Sequence, residues 1–177
     1  MSSEIFSTWP CHIAQLASDL RHVATKIVVV YRPFYEWIAS VYRERNAKTI
    51  SKAGFASWLT DSVMEEWAAN RSSTSVYSRY AAHFSDVVMH SLDSSLLANI
   101  ACDDLGAPRA CAWFQGAKVR NANVKRKEDS TGECLSPAQR QTMETISIDL
   151  HRTAFGIFVP FPASDFHDQL SNCFGNR

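Results

Sequence analysis

The sequence predicts an α/β fold in which a parallel sheet carries helices on both of its faces. Ile27–Tyr31 consists of β-branched and aromatic residues, which is typical of a strand buried on both faces of a parallel sheet. Asp86–Leu92 is a second strand candidate, and apolar residues at helical spacing occupy much of the chain between the two. Strands that alternate with helices favour right-handed crossovers, and therefore a parallel arrangement.

Apolar residues that recur at helical intervals predict the helices in order along the chain. They cover Trp9–Ala24, the segment after Pro33, Gly54–Ala69, Val76–Phe84, Ser94–Leu105 and Ala138–Arg152. Gly106 is predicted to end the fifth of these helices, and Ser136 to cap the sixth. The segment Gln115–Gly132 is rich in Gly, Asn and Ser, which predicts a surface loop.

Length and composition indicate one domain, residues 1–177, of ordinary core size. The chain has 177 residues, of which 46% are hydrophobic. Trp37 and Trp58 are predicted to pack in that core. The formal net charge of zero gives no global electrostatic reason to expect nucleic acid or an anionic membrane as partner. No apolar run approaches the roughly 20 residues that span a bilayer, so we expect no membrane span in this chain.

Cysteine and histidine are dispersed along the chain. The five cysteines are an odd number without C-x-x-C spacing, so no metal site is expected. Cys102 and Cys111 flank a predicted loop that contains Gly106 and Pro108. Buried free cysteine is the favoured interpretation of this pair, and a disulfide is the alternative if the protein is luminal. The histidines are interpreted as surface or packing residues; they are His12, His22, His83, His90, His151 and His167.

Two polar residues follow the first predicted strand. Arg32 comes directly after Tyr31, at the carboxyl end of the strand, where open α/β sheets bind their ligands. Ser40 lies two turns into the following helix. A guanidinium offers a planar fork of donors to a phosphate, and a hydroxyl adds a neutral donor. The alternatives are that Arg32 pairs with Glu36 and that Ser40 is a small residue allowing close helix packing.

This region resembles a motif of a known enzyme family. The run VVVYRPFYEWIASVY, residues 28–42, is similar to the 3′-phosphate motif of the sulfotransferases that use PAPS (3′-phosphoadenosine 5′-phosphosulfate), and it looks most like the eukaryotic sulfotransferase-like proteins. In that family an Arg at a strand end and a Ser eight residues later hold the 3′-phosphate, and here Arg32 and Ser40 match. The preceding Ser2-Ser3-Glu4-Ile5-Phe6-Ser7 resembles the strand end that comes before this motif.

The resemblance implies a P-loop NTPase-like sulfotransferase fold and PAPS as co-substrate, without a metal. The implied reaction transfers a sulfuryl group from PAPS to a hydroxyl or amine of a carbohydrate-like acceptor. Glu4, if it ends a strand beside the site, is a candidate general base for the acceptor hydroxyl, because a carboxylate near a sulfuryl donor suits that role; the alternative is a frayed terminal glutamate. Lys118 and Arg120 would correspond to the basic loop that folds over the nucleotide phosphate, the alternative being a solvated loop. Family members are often Golgi-luminal, although this chain shows no signal segment.

One expected element of the family has no counterpart in the sequence. Nothing matches the phosphate loop G-x-x-x-x-G-K-[ST], so we expect an N-terminally truncated sulfotransferase-like domain. Without the lysine and amides of that loop, Arg32 and Ser40 could bind a phosphate but not stabilise the transition state. Whether the chain is an enzyme stays open. The alternative function is a non-catalytic remnant that binds PAP (the donor without its sulfuryl group) or a protein partner through an unpaired strand edge.

Overall fold

The computed structural model describes residues 10–48, 54–93, 95–116, 134–156, 159–163 and 166. In chain order its elements are α1 (Pro10–Asp19), β1 (Ile27–Tyr31), α2 (Phe34–Lys48), α3 (Phe55–Trp58), α4 (Asp61–Arg71), α5 (Ser73–Ala81), β2 (Val87–Ser91), α6 (Leu96–Asn99), a π-helical segment (Ile100–Asp104), α7 (Pro108–Gly116) and α8 (Pro137–Phe155). The architecture is mixed α/β, rich in helix, with a two-stranded parallel sheet.

The chain divides into two compact units. Met1–Arg32 and Ser73–Val124 form the first, which contains both strands and is called the sheet unit. Pro33–Ser72 and Lys125–Arg177 form the second, called the helical unit because its described elements are all helices. The prediction of one domain over 1–177 stays a prediction.

In the sheet unit, β1 and β2 pair in parallel. Ile27 lies opposite Val87, and Tyr31 lies opposite Ser91. Backbone hydrogen bonds close the ladder at both ends: the Ile27 amide donates to the Asp86 carbonyl at 2.9 Å, and the Leu92 amide donates to the Tyr31 carbonyl at 2.8 Å. The prediction that these two segments are neighbouring parallel strands is confirmed.

The faces of β1 differ in burial. Val29 and Tyr31 alternate onto one face and are 6% and 2% exposed, while Val30 between them is 38% exposed. Helix α5 packs against both strands, and α6 packs against β2. The prediction that Ile27–Tyr31 is buried on both faces is therefore wrong at Val30, because the described part of the sheet unit covers that face of the strand less completely.

The helical unit contains a contiguous aromatic and aliphatic core. Helices α2 and α4 both pack against α8. The core residues are Phe34, Tyr35, Ile38, Ala39, Phe55, Leu59, Met64, Trp67, Leu135, Met143 and Phe166. Trp37 and Trp58 are half-buried against this core, with ring centroids 5.6 and 5.7 Å from that of Trp67. Their predicted packing role is confirmed.

A break divides the helix predicted over Gly54–Ala69. Leu59 leaves the helical region, with φ −85° and ψ 75°, so α3 ends at Trp58. The Thr60 hydroxyl then accepts a hydrogen bond from the Val63 amide at 3.2 Å and caps the new helix α4. The prediction of one continuous helix is wrong because a threonine cap competes locally with helix continuation.

The other side of this break is held by Gln139. Its Nε2 donates to the carbonyl oxygens of Ala56 and Leu59, both at 2.7 Å, and so satisfies acceptors that a helix end leaves without intrahelical partners. Its Oε1 accepts from the Ser136 amide at 2.9 Å, while the Ser136 hydroxyl accepts from the Gln139 amide at 3.2 Å. This capping box confirms Ser136 as the N-cap of α8.

The region after β2 is more helical than predicted. The segment predicted as one helix over Ser94–Leu105 contains α6 and then the π-helical segment, in which the Leu105 amide donates to the Ile100 carbonyl at 3.0 Å. Gly106 ends it with φ +55°, as predicted. Pro108 then opens α7 where a loop was expected, since proline suits the first position of a helix.

Candidate functional site

Arg32 lies at the carboxyl end of β1, as the sequence predicted. Its amide donates to the Ser73 hydroxyl at 3.4 Å, and that hydroxyl donates to the Val30 carbonyl at 3.2 Å. Ser73 is the first residue of α5. The strand end that carries Arg32 is therefore tied to the N-terminus of a helix within the sheet unit.

This arrangement is electrostatically suited to an anion. A helix N-terminus carries partial positive charge, and its backbone amides point outward along the axis. The Arg32 guanidinium, on a half-buried side chain, adds a full positive charge in a geometry that matches phosphate oxygens. The contact of the Arg32 amide with Ser73 places the backbone of Arg32 beside this helix N-terminus.

Ser40 lies on α2, between the buried Ala39 and the half-buried Val41, and is itself half-buried. It belongs to the helical unit, whereas Arg32 belongs to the sheet unit, and each is described within its own unit. The structure confirms that Ser40 is on the helix following Arg32. The remaining predicted site residues, Glu4, Lys118 and Arg120, lie outside the described residues.

A charged cluster in the sheet unit was not predicted. Asp104, at the end of the π-helical segment, has a side chain only 5% exposed. Its Oδ1 lies 3.4 Å from Lys26 Nζ, and its Oδ2 forms a hydrogen bond with His90 Nε2 on β2. Lys26 Nζ also lies 3.5 Å from Asp86 Oδ1. The cluster satisfies a nearly buried carboxylate, which would be costly to leave without partners.

Part of this cluster could have been found from the sequence. Lys26 directly precedes the first predicted strand and Asp86 is the first residue of the second, so parallel pairing of the two strands brings them together at the same edge. Asp104 and His90 gave no comparable signal, because their contact depends on how the π-helical segment packs against β2. Within the described ranges, no group of three or more His, Cys, Asp or Glu side chains is placed to hold a metal ion.

Cys102 and Cys111 form a disulfide between the π-helical segment and α7. The favoured interpretation of this pair as buried free cysteines is wrong, and the alternative is correct. Helix α7 brings Cys111 back alongside the preceding helical turn, which a loop prediction could not reveal. Cys134, in the helical unit, is also disulfide-bonded.

Burial shifts the pKa of two side chains. Burial lowers the pKa of His151 on α8, and hydrogen bonds to the backbone carbonyls of Pro160 and Val159 oppose that shift. Burial raises the pKa of Tyr80 on α5, and the charge of the neighbouring Arg79 opposes that shift. Neither group was singled out as functional by its sequence pattern.

The comparisons with known proteins leave the chain without an assigned family. No protein-family model matches it, and no curated protein or solved structure is significantly similar to it. None of the helices in the described ranges is long and apolar enough to cross a membrane.

Proposed function

We propose that this chain is a sulfotransferase-like protein that binds the 3′-phosphate of PAPS and of its product PAP through Arg32. The proposal includes the finer fold expected for that family, a three-layer parallel sheet with helices on both faces. It also includes transfer of the sulfuryl group to a hydroxyl or amine of a carbohydrate-like acceptor.

One observation carries the proposal. Arg32 directly follows a parallel strand, and its amide contacts the residue that opens α5, so the backbone that carries the guanidinium lies beside a helix N-terminus. That combination favours a dianionic group over a neutral ligand. The part assigned to Ser40 rests on its spacing from Arg32 and on the motif of residues 28–42.

The chemistry assigned to the chain is a direct displacement at sulfur. A bond forms between the acceptor oxygen or nitrogen and sulfur, while the bond from sulfur to the bridging phosphate oxygen breaks and PAP leaves with the electron pair. The acceptor's proton passes to a general base, which we assign to Glu4. Arg32 anchors the nucleotide at its 3′ end and does not contact the reacting sulfur, so we expect it to govern nucleotide affinity.

Calorimetric titration tests the nucleotide assignment. PAP should bind more tightly than adenosine 5′-phosphate, because only PAP carries the 3′-phosphate. Arg32→Ala should remove most of that difference, a loss of about 1.5–3 kcal/mol or one to two decades in affinity. Ser40→Ala should cost less, about 1 kcal/mol for a neutral donor.

Arg109→Ala is the matched control, since Arg109 is an exposed arginine on α7 of the same unit. It should leave the preference for PAP intact. Equal affinity of the unmodified protein for the two nucleotides would contradict the phosphate site. A loss of PAP preference in Arg109→Ala equal to that in Arg32→Ala would show a diffuse charge effect instead.

A transfer assay separates the enzyme from the non-catalytic alternative. Incubation with PAPS carrying labelled sulfur and a panel of carbohydrate hydroxyl and amine acceptors should yield labelled product, with Glu4→Gln slowing it. Preference for PAP without any transfer would support the nucleotide-binding remnant, whose motivation is the missing G-x-x-x-x-G-K-[ST] loop.

A further inference from the structure

A second short pattern in the sequence carries chemistry unrelated to nucleotide binding. Asn70-Arg71-Ser72 matches N-x-[ST], the acceptor pattern for N-linked glycosylation. The chain contains seven asparagines, and Asn70 is the one that has Ser or Thr two positions later. A short pattern of this kind needs structural support, which two separate observations provide.

The first observation is the exposure of the acceptor. Asn70 lies in the last turn of α4 and is exposed, as are Ala69 beside it and Glu66 one turn earlier. Arg71 turns back along the helix, with its guanidinium carbon 4.7 Å from the ring centroid of Trp67. The guanidinium of the central residue therefore lies over the Trp67 ring, while Arg71 itself stays exposed, and the exposed surface around Asn70 leaves room for a bulky polar group.

The burial of Ser72 requires that the glycan is attached before this segment folds. Ser72 is 4% exposed and follows α4 as its C-cap, with an extended backbone. An enzyme that must reach both Asn70 and the Ser72 hydroxyl can do so only before this segment folds. After folding, Ser72 is buried while the amide that bears the glycan remains at the surface.

The second observation is the oxidation state of the cysteines. Cys102 and Cys111 are joined, and Cys134 is also disulfide-bonded. Disulfides form and persist in oxidising compartments such as the lumen of the endoplasmic reticulum, and are rare in the cytosol. N-linked glycosylation takes place in that same lumen on chains that are still folding. The disulfides therefore point to the compartment in which an N-x-[ST] acceptor is modified.

We propose that Asn70 is an N-linked glycosylation site of this chain. The co-reactant is an oligosaccharide linked to a lipid diphosphate, and an oligosaccharyltransferase catalyses the step. A bond forms between the Asn70 side-chain nitrogen and the first sugar carbon, the bond from that carbon to the diphosphate oxygen breaks, and the lipid diphosphate leaves with the electron pair. The amide proton passes to the enzyme. This inference does not depend on PAP binding.

Cell-free translation with microsomes tests the site on the full chain carrying a cleavable secretion signal. The product should migrate more slowly than its peptide-N-glycosidase-treated form, and that treatment should convert residue 70 from Asn to Asp in a peptide map. Asn70→Gln should abolish the shift, and Ser72→Thr, which keeps the pattern, should retain it. Asn99→Gln is the matched control outside the pattern and should also retain the shift.

The glycan is attached before the chain folds, so a variant that folds poorly still shows whether residue 70 is modified. Translocated wild-type chain without a glycan, or a shift that persists in Asn70→Gln, would overturn the proposal. A second measurement uses secreted protein: native peptide-N-glycosidase should remove the glycan without denaturant, because Asn70 is exposed in the folded chain. Release of the glycan only after unfolding would contradict the placement described for Asn70.

Discussion

The two units of this molecule are stabilised in different ways. In the helical unit, large side chains from α2, α3, α4 and α8 form one core, and Ile38, Leu59, Met64 and Met143 have no exposed surface. In the sheet unit, two short strands are supplemented by the Cys102–Cys111 disulfide and by the ionic contacts of Asp104.

Exposed large hydrophobic side chains are also distributed unequally between the two units. Most of the exposed large hydrophobic residues in the described ranges belong to the sheet unit; they are Val23, Val30, Leu92, Leu97, Leu105 and Trp113, with Val159 in the helical unit. In the sheet unit a disulfide and ion pairs accompany a smaller set of buried apolar residues, whereas the helical unit combines a larger apolar core with the disulfide of Cys134. Substitutions that remove a core side chain, the cross-link or a helix-capping side chain test this difference between the units.

Removal of a core aromatic should have the largest effect. Trp67 is 5% exposed and contacts Trp37 and Trp58, so Trp67→Ala should reduce the free energy of unfolding by about 3–5 kcal/mol. Trp113→Ala is the matched control in the sheet unit: Trp113 is 67% exposed, and its loss should cost within about 0.5 kcal/mol. Denaturant titration measures both. Equal losses would contradict the contrast between the units.

Removal of the cross-link in the sheet unit should have the next largest effect. Cys102 and Cys111 are nine positions apart, a loop for which chain entropy gives about 2.5 kcal/mol of stabilisation. The double variant Cys102→Ser/Cys111→Ser should lose about that amount in denaturant titration. The double variant is preferable to a reductant, which would also open the disulfide of Cys134. An unchanged midpoint would show that the sheet unit does not depend on the cross-link.

Loss of the Gln139 side chain should have a smaller effect, confined to the helical unit. Gln139→Ala leaves the Ala56 and Leu59 carbonyls and the Ser136 amide without these partners, so we expect a loss of about 1–3 kcal/mol in denaturant titration. Gln141→Ala, an exposed position on the same helix, should change little. Equal free energies of unfolding for Gln139→Ala and Gln141→Ala would mean that water replaces the hydrogen bonds of Gln139 at no cost.

The sequence predicted the strands better than the helix boundaries. Ile27–Tyr31 was predicted at the bounds observed, because a run of β-branched residues is a local signal. The break at Leu59 was missed, because the local capping signal of Thr60 was not used and the other stabilising partner, Gln139, lies eighty positions away. Helix α7 was missed, and its disulfide was left as the less favoured alternative, because Gly106 and Pro108 are loop signals that also fit a helix end and a helix start.

In the candidate site, only the residue whose position follows from a local sequence pattern could be predicted. Arg32 at a strand end follows from the strand itself. The contact of its amide with Ser73, and of Asp104 with His90 and Lys26, depends on packing between segments distant in sequence. Such contacts are decided by tertiary structure, which periodicity and capping signals do not encode.

The smallest expected effect is a pH dependence that belongs to the helical unit. Burial lowers the pKa of His151 below the value of about 6.5 found in unfolded chains, so the unfolded state binds the proton more tightly. Stability should therefore be complete above pH 6.5, fall as the pH decreases through 6.5, and level off below the folded-state pKa.

His151→Gln should remove this dependence, because it replaces the titrating ring by a neutral side chain. The measurement is the unfolding midpoint in denaturant at a series of pH values between 7.5 and 5, for the wild type and the variant in parallel. The difference between the two curves isolates the contribution of position 151. His83→Gln, at an exposed position in the sheet unit, tests whether the change is specific to the buried ring.

A difference curve that is flat across this range would show that burial of His151 does not oppose its protonation. A wild-type stability that instead grows relative to the variant towards low pH would reverse the sign, and would mean that the carbonyls of Pro160 and Val159 stabilise the charged ring more than burial destabilises it.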